Sequence, residues 1–237
     1  YDNQQSLNQQ FTPYDNQQSL INNNPLNNQQ NNPISIFQKT NISQGFDNLL
    51  ACQPIQLPNL NNDNIKQYCY NLKENDPVGR HISNNGGWQS QEINLIDDLP
   101  ELVQYIMEAS QRTIYDYGYD PEKTKLFFGN AWVNINQKDN TNQIHLHHGS
   151  YLSGVYYVNV TPNSGNIVFY RNFDQAYITS SFAKVVNNTA ISGQTVSYTP
   201  KPGRLILFPS NLLHSVEASN DDGDRISIAF NIGISYA

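Results

Sequence analysis

The sequence predicts a mainly β protein: a double-stranded β-helix, the jelly-roll or cupin-like barrel, with buttressing helices and a disordered or docking N-terminal arm. Three observations carry this. From Thr124 the apolar period becomes two and stays there; Gly, Pro and Asn punctuate the alternation into eight short strands; and helical spacing is confined to two stretches upstream. The 237 residues suffice for one sizeable domain and an extension. The division expected is an Asn/Gln-rich arm over residues 1–34 and a jelly-roll domain over 35–237.

The arm repeats YDNQQSL at Tyr1–Leu7 and Tyr14–Leu20. Two copies cannot stack into a core, and the few apolar side chains cannot offset the entropy of ordering, so the arm is expected to order only against a partner. Composition changes at Pro33, and Ile34–Ile42 alternates like a first strand. Pro54 and Pro58 break Leu49–Leu60 into an extended crossing or a short helix. The run from Asn61 places Ile65, Tyr68, Cys69 and Leu72 at helical spacing, with Asp63 or Asn64 as candidate caps.

SNNGGW at Ser83–Trp88 predicts a tight loop, because its two glycines reach backbone conformations closed to other residues. Asp98–Tyr117 predicts the longest helix: Pro100 suits its first turn, Glu101 favours its N-terminal dipole, and Leu99, Leu102, Ile106 and Ala109 form a packing stripe. Strands follow at Thr124–Asn136, Gln143–His147, Ser153–Val160, Asn166–Tyr170, Thr195–Tyr198, Gly203–Phe208, His214–Glu217 and Arg225–Ile234. The polar insertion between Arg171 and Gln194 belongs at the barrel mouth, where substrates are commonly chosen.

A formal net charge of −7 argues against a general nucleic-acid binder, which needs a cationic surface. No run has the apolar length of a membrane span. The expected location is cytoplasmic, with virion association as the alternative. Cys52 and Cys69 are too few for a disulfide framework and are expected to be reduced.

Three of the five histidines fall in QIHLHHGSYLSGVYYVNV, Gln143–Val160. On a strand, His145 and His147 project from one face, which makes half a metal site. A third ligand must come from elsewhere, and His214 follows the strand and turn GRLILFPSNLL. Arg225 lies eleven residues further on and opens RISIAFNIGI.

H-x-H at His145–His147, F-P-S-x-x-x-H at Phe208–His214 and R-x-S at Arg225–Ser227 together resemble the iron(II)- and 2-oxoglutarate-dependent dioxygenases. With WVNI at Trp132–Ile135, LSGVYYV at Leu152–Val158 and RISIAFN at Arg225–Asn231, the likeness is to a 2-oxoglutarate oxygenase family of marine bacteria and cyanophages. It spans roughly residues 65–237, and the order and spacing of the blocks make it specific.

The resemblance implies an oxidoreductase, a hydroxylase of an unidentified small-molecule or protein substrate, using Fe(II), 2-oxoglutarate and O2. It assigns His145, His147 and His214 to the metal. The usual triad has a carboxylate where His147 stands, so three ligand sets remain open: all three histidines, His147 and His214 alone, or a loop carboxylate such as Asp139 or Asp174 in addition. His148, on the opposite face, reads as a rim residue.

The cosubstrate's distal carboxylate needs a fixed buried cation, and Arg225 is the candidate, because a guanidinium grips a carboxylate as a fork. Ser227, on the same face, and a phenol from Tyr156 or its neighbour Tyr157 would add hydrogen bonds. Asn134 and Asn231 would orient the cosubstrate or the metal water through their amides, or else satisfy backbone groups at strand ends. The competing expectation is a catalytically silent jelly roll serving in an assembly or virion, docked through residues 1–34. Zinc or manganese would also suit three histidines, but neither needs the Arg225–Ser227 clamp.

Overall fold

The computed structural model describes residues 53–57, 60–120, 122–171 and 193–236. All fall in one compact unit, Asn41–Ala237. The Asn/Gln-rich arm, the strand expected at Ile34–Ile42, Cys52 and most of the 171–194 insertion lie outside the described residues.

Two antiparallel sheets face each other. The larger has the order β1 (Gln53–Gln56), β9 (Arg204–Pro209), β6 (Leu152–Asn159), β11 (Arg225–Tyr236), β4 (Thr124–Asn136) and β3 (Trp88–Gln89). The smaller runs β2 (Asn84–Asn85), β5 (Thr141–His145), β10 (His214–Val216), β7 (Ile167–Tyr170) and β8 (Thr195–Tyr198). Strands adjacent in space are mostly distant in sequence, as the crossing connections of a jelly roll require. The eight strands expected from Thr124 onward are all present, with ends shifted by up to two residues. The proline-broken stretch is an edge strand: β1 pairs only with β9, and proline is tolerated on an edge.

The alternation sorts the larger sheet into two faces. On β4, Ala131, Val133 and Ile135 are fully buried on the outer face, while Trp132 and Asn134 line the interior pocket. On β11, Ile226, Ile228 and Phe230 point outward, and Arg225, Ser227 and Ala229 line the pocket. The outer face is buried because helices cover it: α1 (Asn62–Asn75) packs on β6, and α3 (Pro100–Asp116) on β4 and β9. Thus an antiparallel sheet is buried on both faces here, and the helices expected as buttresses explain why.

α1 is capped by Asn61, whose side chain accepts from the Asn64 N–H, instead of by Asp63 or Asn64. The cap lies two residues before Asp63 and three before Asn64, so both candidates fall in the first turn of the helix. α3 begins at Pro100, as expected, after a separate turn, α2 (Leu95–Asp98). Cys69 is free and buried against the sheet.

The Ser83–Trp88 loop connects the sheets. Asn84 and Asn85 pair with β5 of one, and Trp88 and Gln89 with β4 of the other. Gly86 and Gly87, at φ +67° and +68°, make the crossing between them, in the region glycine adopts without strain. Trp88 is a core anchor: it is 5% exposed, and its indole N–H donates to the Asp76 carbonyl at the end of α1.

Candidate metal centre

His145 and His214 meet because β5 and β10 pair in direct register at these two residues. His147 lies just beyond the end of β5, where its backbone N–H donates to the Ser210 carbonyl at 2.9 Å. The strand therefore lies two residues earlier than expected, and the FPS turn, not strand pleat, holds His147 beside the others. One ligand atom from each of His145, His147 and His214 lies within 4.8 Å of the other two.

The ring nitrogens are already sorted. Each Nδ1 faces an oxygen acceptor: the Gln143 carbonyl for His145 (2.7 Å), the Asn231 Oδ1 for His147 (2.7 Å) and the Leu212 carbonyl for His214 (2.9 Å). A carbonyl holds the proton on Nδ1, which leaves the Nε2 lone pairs for a metal.

Burial keeps these rings neutral. It pushes the His214 pKa down to about 3 and that of His147 to about 4, and it lowers that of His145 too. The desolvating wall is aromatic: Phe208 packs on His214 at a centroid distance of 4.7 Å, Phe169 at 5.9 Å, and Trp132 on His147 at 5.4 Å. Neutral imidazole is the ligating form.

Among the described residues no carboxylate joins the cluster. Asp139 is exposed in the turn after β4, its N–H bonded to the Ser219 carbonyl, and Asp174 lies outside the described residues. His148 and His81 are exposed and outside the cluster.

One pocket runs inward from the histidines, lined by Trp132, Asn134, Tyr157, Phe208, Arg225 and Ser227 among others. Arg225 is 3% exposed; its Nη1 donates to the Gly165 carbonyl at 3.0 Å, and its Nε has no partner. No ion pair with Arg225 forms among the described residues. A buried guanidinium without an anion is costly, and burial lowers its pKa. The donor set thus fits the group that the motifs imply: an anion is what this cation lacks. The Oδ1 of Asn134 is likewise buried without a partner.

Tyr156 requires correction. Its hydroxyl donates to Asn62 Oδ1 of α1, on the outer face, at 2.5 Å. The two-residue period explains it: Ser153, Val155 and Tyr157 face the interior, and Tyr156 is one position out of phase. Tyr157 lines the pocket, and burial pushes its phenol up to about 12 against the opposing pull of Arg225.

Asn231, expected to orient the cosubstrate or the metal water, instead has its Oδ1 against His147 Nδ1, and Ser153, which sequence reasoning missed, lies 2.8 Å from the same nitrogen.

A second cavity, about 250 Å³, opens over His145 and His147. Arg80, Ile82, Gln89, Glu92, Asn130 and Ile144 are in its wall.

Fold and site define a jelly-roll protein in which three imidazoles cluster where a metal ion could be held and a buried arginine lines the same pocket. Residues 130–231 match the family model described as "Putative 2OG-Fe(II) oxygenase". With the histidine cluster, this match makes the chain an oxidoreductase, a 2-oxoglutarate/Fe(II)-dependent dioxygenase, with Fe(II) and 2-oxoglutarate as its cofactors.

Solved structures bear out the fold. A Pseudomonas putida prolyl-4-hydroxylase aligns at TM-score 0.50 and 14% identity, over 76% of this chain and 92% of its own. A Trichoplax adhaerens prolyl hydroxylase, in complex with a hypoxia inducible factor peptide, aligns at 0.52 and 15%, over 78% and 83%. The non-heme alpha ketoglutarate dependent carbocyclase SnoK from nogalamycin biosynthesis aligns at 0.54 and 10%, over 78% and 81%. No curated protein matches the sequence. Among the described residues, no helix is long and apolar enough to cross a membrane.

Proposed function

We propose that the chain is a hydroxylase whose substrate lies in the cavity over His145 and His147. His145, His147 and His214 hold Fe(II) through Nε2, with no protein carboxylate among the ligands. Arg225 takes the distal carboxylate of 2-oxoglutarate in its guanidinium fork, assisted by Ser227 and Tyr157, and Asn134 orients the same molecule. The bound Fe(II) and 2-oxoglutarate supply oxygen activation, giving overall C–H + O2 + 2-oxoglutarate → C–OH + succinate + CO2.

The observation that carries this reading is Arg225: a buried cation with an unpartnered Nε, in the same pocket as three neutral imidazoles. The remaining walls work by exclusion. Val155, Ile167, Phe208 and Ala229 keep the space between Arg225 and the histidines apolar, which strengthens any ionic contact made there. A catalytically silent module is not favoured, since assembly alone requires neither the sorted tautomers nor the unpaired guanidinium.

The test is anaerobic titration of Fe(II) and 2-oxoglutarate into metal-free protein, following the visible charge-transfer band of the chelate. Wild type should develop the band, His214→Ala should not, and Arg225→Ala should need far more 2-oxoglutarate. Metal binding without a band in wild type would overturn the assignment in favour of zinc or manganese.

A further inference from the structure

The His147 tautomer is set by a chain of hydrogen bonds that leaves the pocket and ends on a carboxylate. His147 Nδ1 lies 2.7 Å from Asn231 Oδ1. Asn231 Nδ2 donates to Asn130 Oδ1 at 2.8 Å, and Asn130 Nδ2 donates to Glu92 Oε1 at 3.1 Å. With the His147 proton on Nδ1, every donor points the same way, from the imidazole to Glu92.

We propose that Glu92, acting through Asn130 and Asn231, is a positioning residue for His147, polarising the ring so that its Nε2 binds metal more tightly. The inference rests on the metal-ligand role proposed above for His147.

Three features carry it. First, aligned hydrogen bonds reinforce one another, so an anion at the end draws each proton along the chain toward itself. Carboxylate–histidine pairs behind metal ligands work in this way, and here two amides separate the carboxylate from the ring. Second, a hydroxyl supports the amide orientation: Asn231 Oδ1 also accepts from Ser153 Oγ at 2.7 Å, an oxygen that lies 2.8 Å from His147 Nδ1 and 2.9 Å from Ser210 Oγ. Third, among the described residues the cluster has no carboxylate of its own, and Glu92 is a negative charge connected to it by hydrogen bonds.

The far end of the chain is open to substrate. Glu92 and Asn130 both line the 250 Å³ cavity, and Glu92 faces Arg80 across 3.8 Å, with its side chain 57% exposed. A group that binds Arg80 or Glu92 therefore alters the charge at the end of the chain and, through it, the basicity of His147. Occupancy of the substrate cavity and strength of the metal site are coupled.

The test uses metal-free full-length protein with 15N-labelled histidine, and then Co(II) alone as the probe metal. Ring 15N shifts should show His147 in wild type as the Nδ1–H tautomer. Asn231→Ala should populate the Nε2–H form and weaken Co(II) binding by roughly 10- to 100-fold, the usual cost of losing a partner behind a ligand. Asn231→Asp should restore both. Glu92→Gln keeps the acceptor and the shape but removes the charge. It should move the His147 ring shifts in the same direction and weaken Co(II) by a few-fold, with no change at His145 or His214. As a change on an exposed side chain it also guards against a folding failure at Asn231. Unchanged shifts and affinity in Glu92→Gln would overturn the proposal. If wild type fails to bind Co(II), or His147→Ala binds it normally, the underlying ligand assignment fails instead.

Discussion

His145 and His214 sit opposite each other across the β5–β10 pair, with ring centroids 4.2 Å apart. Two of the three clustered imidazoles are thus placed by backbone register, and a one-residue slip of either strand would send one ring to the other face of the sheet. The bulge that follows, between His214 and Val216, confines this register to the site.

Because the cluster excludes the adjacent histidine, the two neighbours should behave oppositely. His145→Ala should weaken divalent-metal binding by more than about 100-fold, beyond the loss expected for an indirect partner, while His148→Ala leaves it unchanged. Isothermal titration with Co(II) measures both.

Arg225 should destabilise the protein when 2-oxoglutarate is absent. Arg225→Met removes a buried charge that has no anion, so the thermal midpoint without cosubstrate should stay level or rise. The increase in midpoint that 2-oxoglutarate gives wild type should disappear. Arg225→Lys should keep the charge but bind 2-oxoglutarate roughly 10- to 100-fold more weakly, because a lysine cannot form the fork. A fall in midpoint for Arg225→Met would show that the guanidinium is satisfied within the protein.

The two adjacent tyrosines separate structure from cosubstrate binding. Tyr156→Phe removes the bond to Asn62 and should cost about 1 kcal/mol of stability with 2-oxoglutarate affinity intact. Tyr157→Phe should weaken 2-oxoglutarate by a few-fold. Chemical denaturation and cosubstrate titration on the pair give the two readings.

Metal-free protein should lose stability in mild acid. Unfolded imidazole titrates near 6.5, whereas His147 and His214 in the fold lie at about 4 and about 3, so the unfolded chain binds protons first. Their contribution is complete above 6.5, declines below it, and is lost as the pH falls through about 4 and then about 3. Urea unfolding of chelator-treated protein, compared between wild type and His214→Phe, isolates the effect. Identical pH slopes between 6.5 and 5 would contradict it.

Much of the barrel was legible because an antiparallel strand writes its two faces as alternate letters, and Thr124–Asn136 and Thr195–Tyr198 read to the exact residue. The histidine cluster was legible too, two of its members by their spacing and His214 by its motif. What escaped depends on phase or on contacts between distant segments. The choice between Tyr156 and Tyr157 turns on a single step of phase in a strand whose two faces are both apolar. β1 escaped because proline reads as a breaker unless the strand is known to lie at an edge. The path from His147 through Asn231 and Asn130 to Glu92 joins four strands and loops, and no local pattern announces it.

The two glycines between Asn85 and Trp88 act as a stitch. Their flanking residues are each sewn to a different sheet, so the rim above the histidines cannot swing outward without unzipping both seams. This border of the cavity is a doorframe rather than a door. A descendant of this enzyme seeking a new substrate could re-letter the frame's side chains, Ser83 and Gln89 among them, but could not lengthen it without parting the sheets that hold the iron's place.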